Sequence, residues 1–245
     1  MSIKIADIEV QLIDHMGTDL SVVNAARVSF DKKSDWHVEE VYGEDEHGDY
    51  TENVYKLKKS DEKLINYLAK HGHISPFHHT FITVRVKAPI FVRSQAVKHK
   101  FMPVNEVSRR YVSDEPEFYI PKEYRLAAEN VKQGSSEETT DKFINPWSFE
   151  ECKINDVMTQ HVKASVEMYQ GLLDSGICAE QARMVLPQNM MTTWYWSGTL
   201  SAFADMLKLR LDSHAQKEIQ YMAQQIKDII EPLFPVSLKA LLDNP

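Results

Sequence analysis

The chain has 245 residues, a formal charge of −8, and is 43% hydrophobic and 26% charged. This is an ordinary globular composition, long enough to bury a sizeable core, and its acidity argues against a protein that coats DNA. Only eight glycines are present, and none falls in a Gly-x-Gly-x-x-Gly or P-loop spacing, so a nucleotide bound here must be held by side chains rather than a glycine loop.

The start, MSIKIADIEVQLID, carries acids within its first ten residues and no long apolar run. It reads as neither a signal peptide nor a membrane span. Residues 3–13 alternate enough for a first strand, and Thr18-Asp19 can cap a helix through residues 20–30. Residues 31–59 are acidic and polar and read as a surface insertion, with His37 and His47 solvated. Ser60-Asp61 opens a short amphipathic helix that ends at Gly72. Residues 80–88 read as a strand, followed by a helix with Pro89 at its start and Pro103 past its end. VSRRYV can resume as a strand, and the QGSSEETTDK stretch within 114–147 reads as a mobile loop. Residues 148–175 form a long amphipathic helix closed by Ser175-Gly176. A short helix stops before Pro187, MTTWYW is strand-like, and residues 199–211 and 214–231 give two more helices. Pro232 and Pro235 then leave a short tail. With no repeat and no linker, one α+β domain over 1–245 is the simplest account.

The charge is uneven. Arg85, Lys87, Arg93, Lys98, Lys100, Arg109 and Arg110 share a segment whose only acid is Glu106, a local balance of +6 inside an acidic chain. On a helix, Gln95 shares a face with Lys98 or His99; on a strand, Ser108 and Arg110 point to one side as phosphate-suited donors. A solvated basic helix with an edge strand and a ligand-binding cluster are both open on pattern alone. His71, His73, His78 and His79 crowd nine residues, but their spacing cannot aim all four at one point, so a structural or ligand-contact role is favoured over a metal. Arg183 and Arg210 sit beside apolar stripes, where arginine either snorkels or reaches a buried anion. His214 can cap a helix, and Trp194-Tyr195-Trp196 reads as core. Cys152 and Cys178 form neither a zinc spacing nor a disulfide framework, and neither sits beside a cation-rich, His-paired stretch. A reducing, cytoplasmic location follows.

Together these segments resemble the flavin-dependent thymidylate synthases over most of the chain and in the same order. Ala25-Ala26-Arg27-Val28-Ser29-Phe30 looks like the family's early helix. His71-Gly72-His73-Ile74-Ser75-Pro76-Phe77 looks like its H-x-H-x-[ST]-P-F segment. Val86-Lys87-Ala88-Pro89-Ile90-Phe91-Val92 precedes the signature, and Asn105-Glu106-Val107-Ser108-Arg109-Arg110-Tyr111 fits its end. Ala182-Arg183-Met184-Val185-Leu186-Pro187 and Leu209-Arg210-Leu211-Asp212-Ser213-His214-Ala215-Gln216 fit the C-terminal half. The signature departs at its opening, Lys98-His99-Lys100 where the family has Arg-His-Arg, and at Pro103, which stands in place of a serine. Lysine keeps the charge and loses the planar fork. Thr199 and Asp205 stand where asparagine is common.

The resemblance implies methylation of dUMP to dTMP, with FAD bound, NADPH as reductant and methylenetetrahydrofolate as one-carbon donor. It assigns dUMP to Gln95, Lys98, Glu106, Ser108, Arg109, Arg110, Arg183 and Arg210, with Arg210 carrying the catalytic role beside the uracil. It assigns FAD to Ser29, His73, Ser75, Lys98, His99, Lys100, Glu106, Thr199, Asp205 and His214, with no metal. It further implies a small, mostly antiparallel sheet packed by long helices, in a homotetramer with shared active sites and with no nucleic-acid or membrane partner. Two rivals stand beside it: another one-carbon transfer to a pyrimidine deoxynucleotide, such as hydroxymethylation, and a nucleic-acid-binding protein without redox chemistry.

Overall fold

The computed structural model describes residues 3–45, 48–111, 114–129, 134–146 and 148–244, so His47 lies outside the described residues. The predicted first strand is two strands in different sheets: β1 (Lys4–Ile5) and β2 (Glu9–Met16). The chain turns at Gly17, whose φ is +91° and where a Cβ would sit 2.9 Å from Thr80 Cγ2; only glycine fits both demands. Helix α1 (Asp19–Arg27) follows, running into a 3-10 turn over Val28–Phe30.

The acidic insertion is not a loop. It is a hairpin, β3 (His37–Asp45) and β4 (Gly48–Lys56), paired in register from His37 with Lys56 to Asp45 with Gly48. Its two faces are largely solvent-exposed, so it lacks the apolar alternation that marks a strand in sequence. His37 is exposed as expected. Helix α2 (Lys59–Lys70) ends before Gly72, at φ +67°, as the glycine predicted.

The central sheet has four strands: β2, β5 (Phe81–Pro89), β12 (Met191–Thr199) and β6 (Val104–Glu106), in the order β2-β5-β12-β6. All three pairings are antiparallel. Along β5, Ile82, Val84, Val86 and Ala88 are buried while Thr83, Arg85 and Lys87 are half-buried, the period-2 pattern of a sheet covered on one face. Between β5 and β6 lies α3 (Ile90–Ala96), shorter than predicted, with Pro89 as its N-cap. Small strands β7 (Glu117–Phe118), β8 (Tyr124–Arg125), β9 (Thr139–Thr140) and β10 (Lys142–Ile144) occupy the stretch read as irregular, and β11 (Glu151–Lys153) follows it. The long helix α4 (Ile154–Asp174) starts six residues later than expected, because its first predicted residues pair as β11 with β10.

The short α5 (Ala179–Ala182) passes into a 3-10 turn at Arg183–Val185. Helices α6 (Leu200–Arg210) and α7 (Lys217–Ile230) follow as predicted. The expected tail is instead a helix, α8 (Pro235–Asp243), packed on α2 and α6.

The main core lies between the sheet and helices α1, α2, α6, α7 and α8, and Phe77, Trp196, Phe203, Met206, Ile219 and Phe234 are fully buried there. Each such side chain contributes roughly 1.5–3 kcal/mol. The tryptophan run divides: Trp194 and Trp196 are core, while Tyr195 is 47% exposed. A smaller cluster of Phe118, Val162, Val166, Tyr169, Ala182, Leu186 and Met190 holds α4 and α5 against the chain. Among the described residues, no helix is long and apolar enough to cross a membrane.

Candidate active site

The sheet's arrangement carries the end of α3 to the end of α6. Arg210, the last residue of α6, donates from Nε to His99 Nε2 at 2.9 Å and from Nη2 to the Gln95 carbonyl at 3.0 Å. These partners lie 111 and 115 positions away in sequence. Burial, reinforced by the Arg210 charge, pushes the His99 imidazole down to about 4, and nearby Asp205 opposes the shift. His99 is therefore neutral near pH 7. Its Nε2 accepts from Arg210, so its proton sits on Nδ1. Burial also lowers the Arg210 value, yet a guanidinium stays charged. A half-buried, permanently charged donor held by two neutral acceptors suits negative charge developing on a ligand.

A second group surrounds a cavity of about 690 Å³ lined by Glu106, Arg109, Arg183, Gln188, Thr192 and other residues of β1, β7 and β12. Glu106 is fixed on both oxygens: Arg93 Nη2 approaches Oε2 at 2.6 Å and Thr192 Oγ1 donates to Oε1 at 2.9 Å. Arg183 is exposed at the rim and has no ion-pair partner among the described residues. Arg109 is turned aside to the Asp114 carbonyl.

Ser108 and Arg110 do not share a strand face. Strand β6 stops at Glu106 because its pairing with β12 ends there, and residues 108–111 form a turn. The two meet all the same. Arg110 folds back and donates to Ser108 Oγ from its backbone N at 3.3 Å and from Nε at 3.1 Å. Its other end lies 3.7 Å from Glu180.

The residues expected on the flavin side are spread more widely. His73 stacks on Tyr67 at 6.1 Å between ring centroids, and His71 meets the same ring at 4.3 Å. Ser75 opens the 3-10 turn Ser75–His79, which packs against α6, the helix that carries Asp205. Thr199 caps α6 by accepting from the Ala202 N–H at 3.3 Å. Asp205 lies 3.7 Å from Lys208. His214 does not cap a helix; its N–H and Nδ1 meet Asp212 Oδ1 at 2.8 and 2.9 Å. Ser29 is exposed on the turn after α1. Lys98 and Lys100 are also exposed, and neither has an acid partner among the described residues. Two free ammonium groups beside His99 suit a diphosphate. Among the described residues, no group of three or more His, Cys, Asp and Glu is placed to hold a metal ion.

Sequence reasoning missed the residues that hold the site in shape. Arg93 was counted in the basic segment, but its tie to Glu106 was invisible. Gln216 closed a quoted motif without a role. Its Oε1 accepts from Gln95 Nε2 at 2.6 Å, and its own Nε2 donates to Glu218 at 2.9 Å. Glu218 in turn takes both its oxygens to Arg125 Nη2 at 2.9 and 3.0 Å. The only sequence signal was the run of polar residues between α6 and the apolar stripe of α7.

Comparison with known proteins bears on this arrangement. Residues 11–236 match the family described as thymidylate synthase complementing protein. The chain is 36% identical over 233 residues to the flavin-dependent thymidylate synthase of Thermotoga neapolitana, covering 95% of this chain and 90% of that one. It is also 36% identical over 235 residues to the enzyme of that name from Thermus thermophilus, covering 96% of this chain and 76% of the relative. Among solved structures, it resembles a UMP/dUMP methylase, PolB from Streptomyces cacaoi bound with 5-Br dUMP, with a TM-score of 0.77, 29% identity and full coverage of both chains.

Proposed function

The chain belongs to the flavin-dependent thymidylate synthase family, and on that premise we propose that it converts dUMP to dTMP using methylenetetrahydrofolate and NADPH through bound FAD. The observation that carries the reading is the junction of Gln95, His99 and Arg210, drawn together from two distant motifs by two hydrogen bonds. Methylation at uracil C5 requires the ring to become electron-rich. Arg210, oriented by neutral His99 and by the Gln95 carbonyl, stabilises that charge beside N3 and its neighbouring carbonyl. Such a preorganised donor lowers a barrier by about 2.7–4 kcal/mol.

Ser108, Arg109, Arg110 and Arg183 take the dUMP phosphate, with Lys98 and Glu106 completing the substrate contacts. Ser108 and Arg110 already touch, and Arg183, at the cavity rim, has no ion-pair partner among the described residues. Ser29, His73, Ser75, Lys98, His99, Lys100, Glu106, Thr199, Asp205 and His214 form the FAD contacts. The two exposed lysines, without an acid partner among the described residues, and the neutral imidazole fit a diphosphate-bearing, planar group. Bound flavin supplies the hydride, which no side chain here can provide. No protein nucleophile is needed: Cys178 is exposed, Cys152 lies in the β10–β11 hairpin, and neither lines the cavity.

A homotetramer with shared sites is part of this reading. The substrate-side and flavin-side residues of a single chain do not all converge. The edge strand β2 leaves Leu12, Ile13 and Met16 exposed, with Phe81 beside them, an apolar edge suited to another copy. Size-exclusion chromatography with light scattering and absorbance detection tests the proposal. The expected result is a single peak of four-chain mass with a flavin spectrum. A colourless protein whose nucleic-acid affinity falls steeply with salt would instead support the binding-protein rival.

A further inference from the structure

The amide of Gln95 has two ends, and only one presents an acceptor to a ligand. The choice is made two residues away. Glu218 has a side chain 6% exposed, and its Oε2 accepts from Gln216 Nε2 at 2.9 Å. An ionised carboxylate can only accept, so the amino end of Gln216 must face it and the Gln216 oxygen must face outward. That oxygen accepts from Gln95 Nε2 at 2.6 Å. The Gln95 amino group is thereby committed, and Gln95 Oε1 is left with no partner among the described residues. Arg125 locks the far end by donating to both Glu218 oxygens, and Ser135 accepts from Arg125 Nε at 2.9 Å.

Arg210 Nη2 sits on the Gln95 backbone carbonyl at 3.0 Å, while Arg210 Nη1 has no hydrogen-bond or ion-pair partner among the described residues. Among the described residues, Arg210 thus keeps a free donor and Gln95 a free side-chain acceptor, and the two residues are joined through the Gln95 main chain. That pattern complements a base edge offering a carbonyl next to an N–H, as uracil does at N3. We propose that Glu218 is a positioning residue that, through Gln216, fixes the Gln95 amide so that its oxygen receives the N3–H of the pyrimidine. The inference rests on the reading of dUMP as substrate. A flipped Gln95 would turn a second donor towards that N–H and leave it unpaired.

The test is a double-variant cycle read in KM for dUMP. Gln216→Met keeps the length and removes the amide. It is expected to raise KM about three- to tenfold, the worth of one neutral hydrogen bond, with the flavin spectrum and melting temperature unchanged. In a Gln95→Met background the same substitution is expected to add nothing, because the group it positions is gone. An equal rise in both backgrounds, or no rise in either, overturns the relay. Where Gln216→Met does not fold, Glu218→Gln is read in the same cycle. A wild-type protein that neither binds nor methylates dUMP brings down the substrate reading and the relay together. Substrate activity with an additive cycle brings down the relay alone.

Discussion

At the scale of single residues, His99 makes the sharpest prediction. Its ordinary value is 6.5, and in the fold burial and the Arg210 charge depress it to about 4. Between those values the unfolded chain binds a proton that the folded chain does not. Stability therefore falls as pH drops from about 6.5 towards 4, and is held above that window. His99→Asn keeps an acceptor for Arg210 and removes the titration. Denaturant midpoints across pH 4–7 should fall less steeply in the variant than in the wild type, and equal slopes would refute the assignment. The identity of this residue was legible, since it lies in the basic motif. Its neutrality was not, because that depends on burial in the fold and on an arginine more than a hundred positions downstream.

At the scale of elements, the C-terminal helix is most instructive. Pro232 and Pro235 suggested that helical structure stops. Pro235 instead begins α8, where its missing N–H costs nothing. The next donors, the N–H groups of Val236 and Ser237, go to Asp19 at 2.9 Å each, and Asp19 is 4% exposed. Thr18 is the N-cap of α1 as expected, but Asp19, read with it, serves another helix, 217 and 218 positions away. A local reading has no access to such a partner. Asp61 behaves alike: it was read as a helix start, but it is fully buried and bound by Arg27 and Ser34. Asp19→Ala leaves one buried and one half-buried donor unpaired and should cost about 1–3 kcal/mol. A lower denaturant midpoint at unchanged slope would show it. An unchanged midpoint would mean that the contact carries no weight. Where local chemistry decides the outcome, sequence served well: the glycine ending α2, the alternation of β5 and the stripes of α6 and α7 all stand.

At the scale of the whole molecule, the basic segment holds fewer free charges than its count suggests. Lys87 is 2.7 Å from Glu117, Arg93 is 2.6 Å from Glu106, Arg109 turns to a carbonyl, and Arg110 reaches towards Glu180. Lys98 and Lys100 remain unpaired among the described residues, joined from far along the chain by Arg183. On the proposed reading, these unspent cations meet the anionic groups first, and Arg109 and Arg110 would have to give up their present partners to join them. The motifs gave the count of cations, and their pairing with acids was beyond them because those acids come from β6, β7 and α5, brought alongside only by the fold.

That distribution favours a small anionic substrate over a nucleic acid, and the identity of the product decides the central claim. Mass spectrometry of the nucleotide formed from dUMP, methylenetetrahydrofolate and NADPH is the direct measurement. The account predicts dTMP, formed only when all three are present. A hydroxymethylated nucleotide would assign the chemistry to the other one-carbon transfer, and unaltered dUMP beside a flavin-loaded protein would contradict the account.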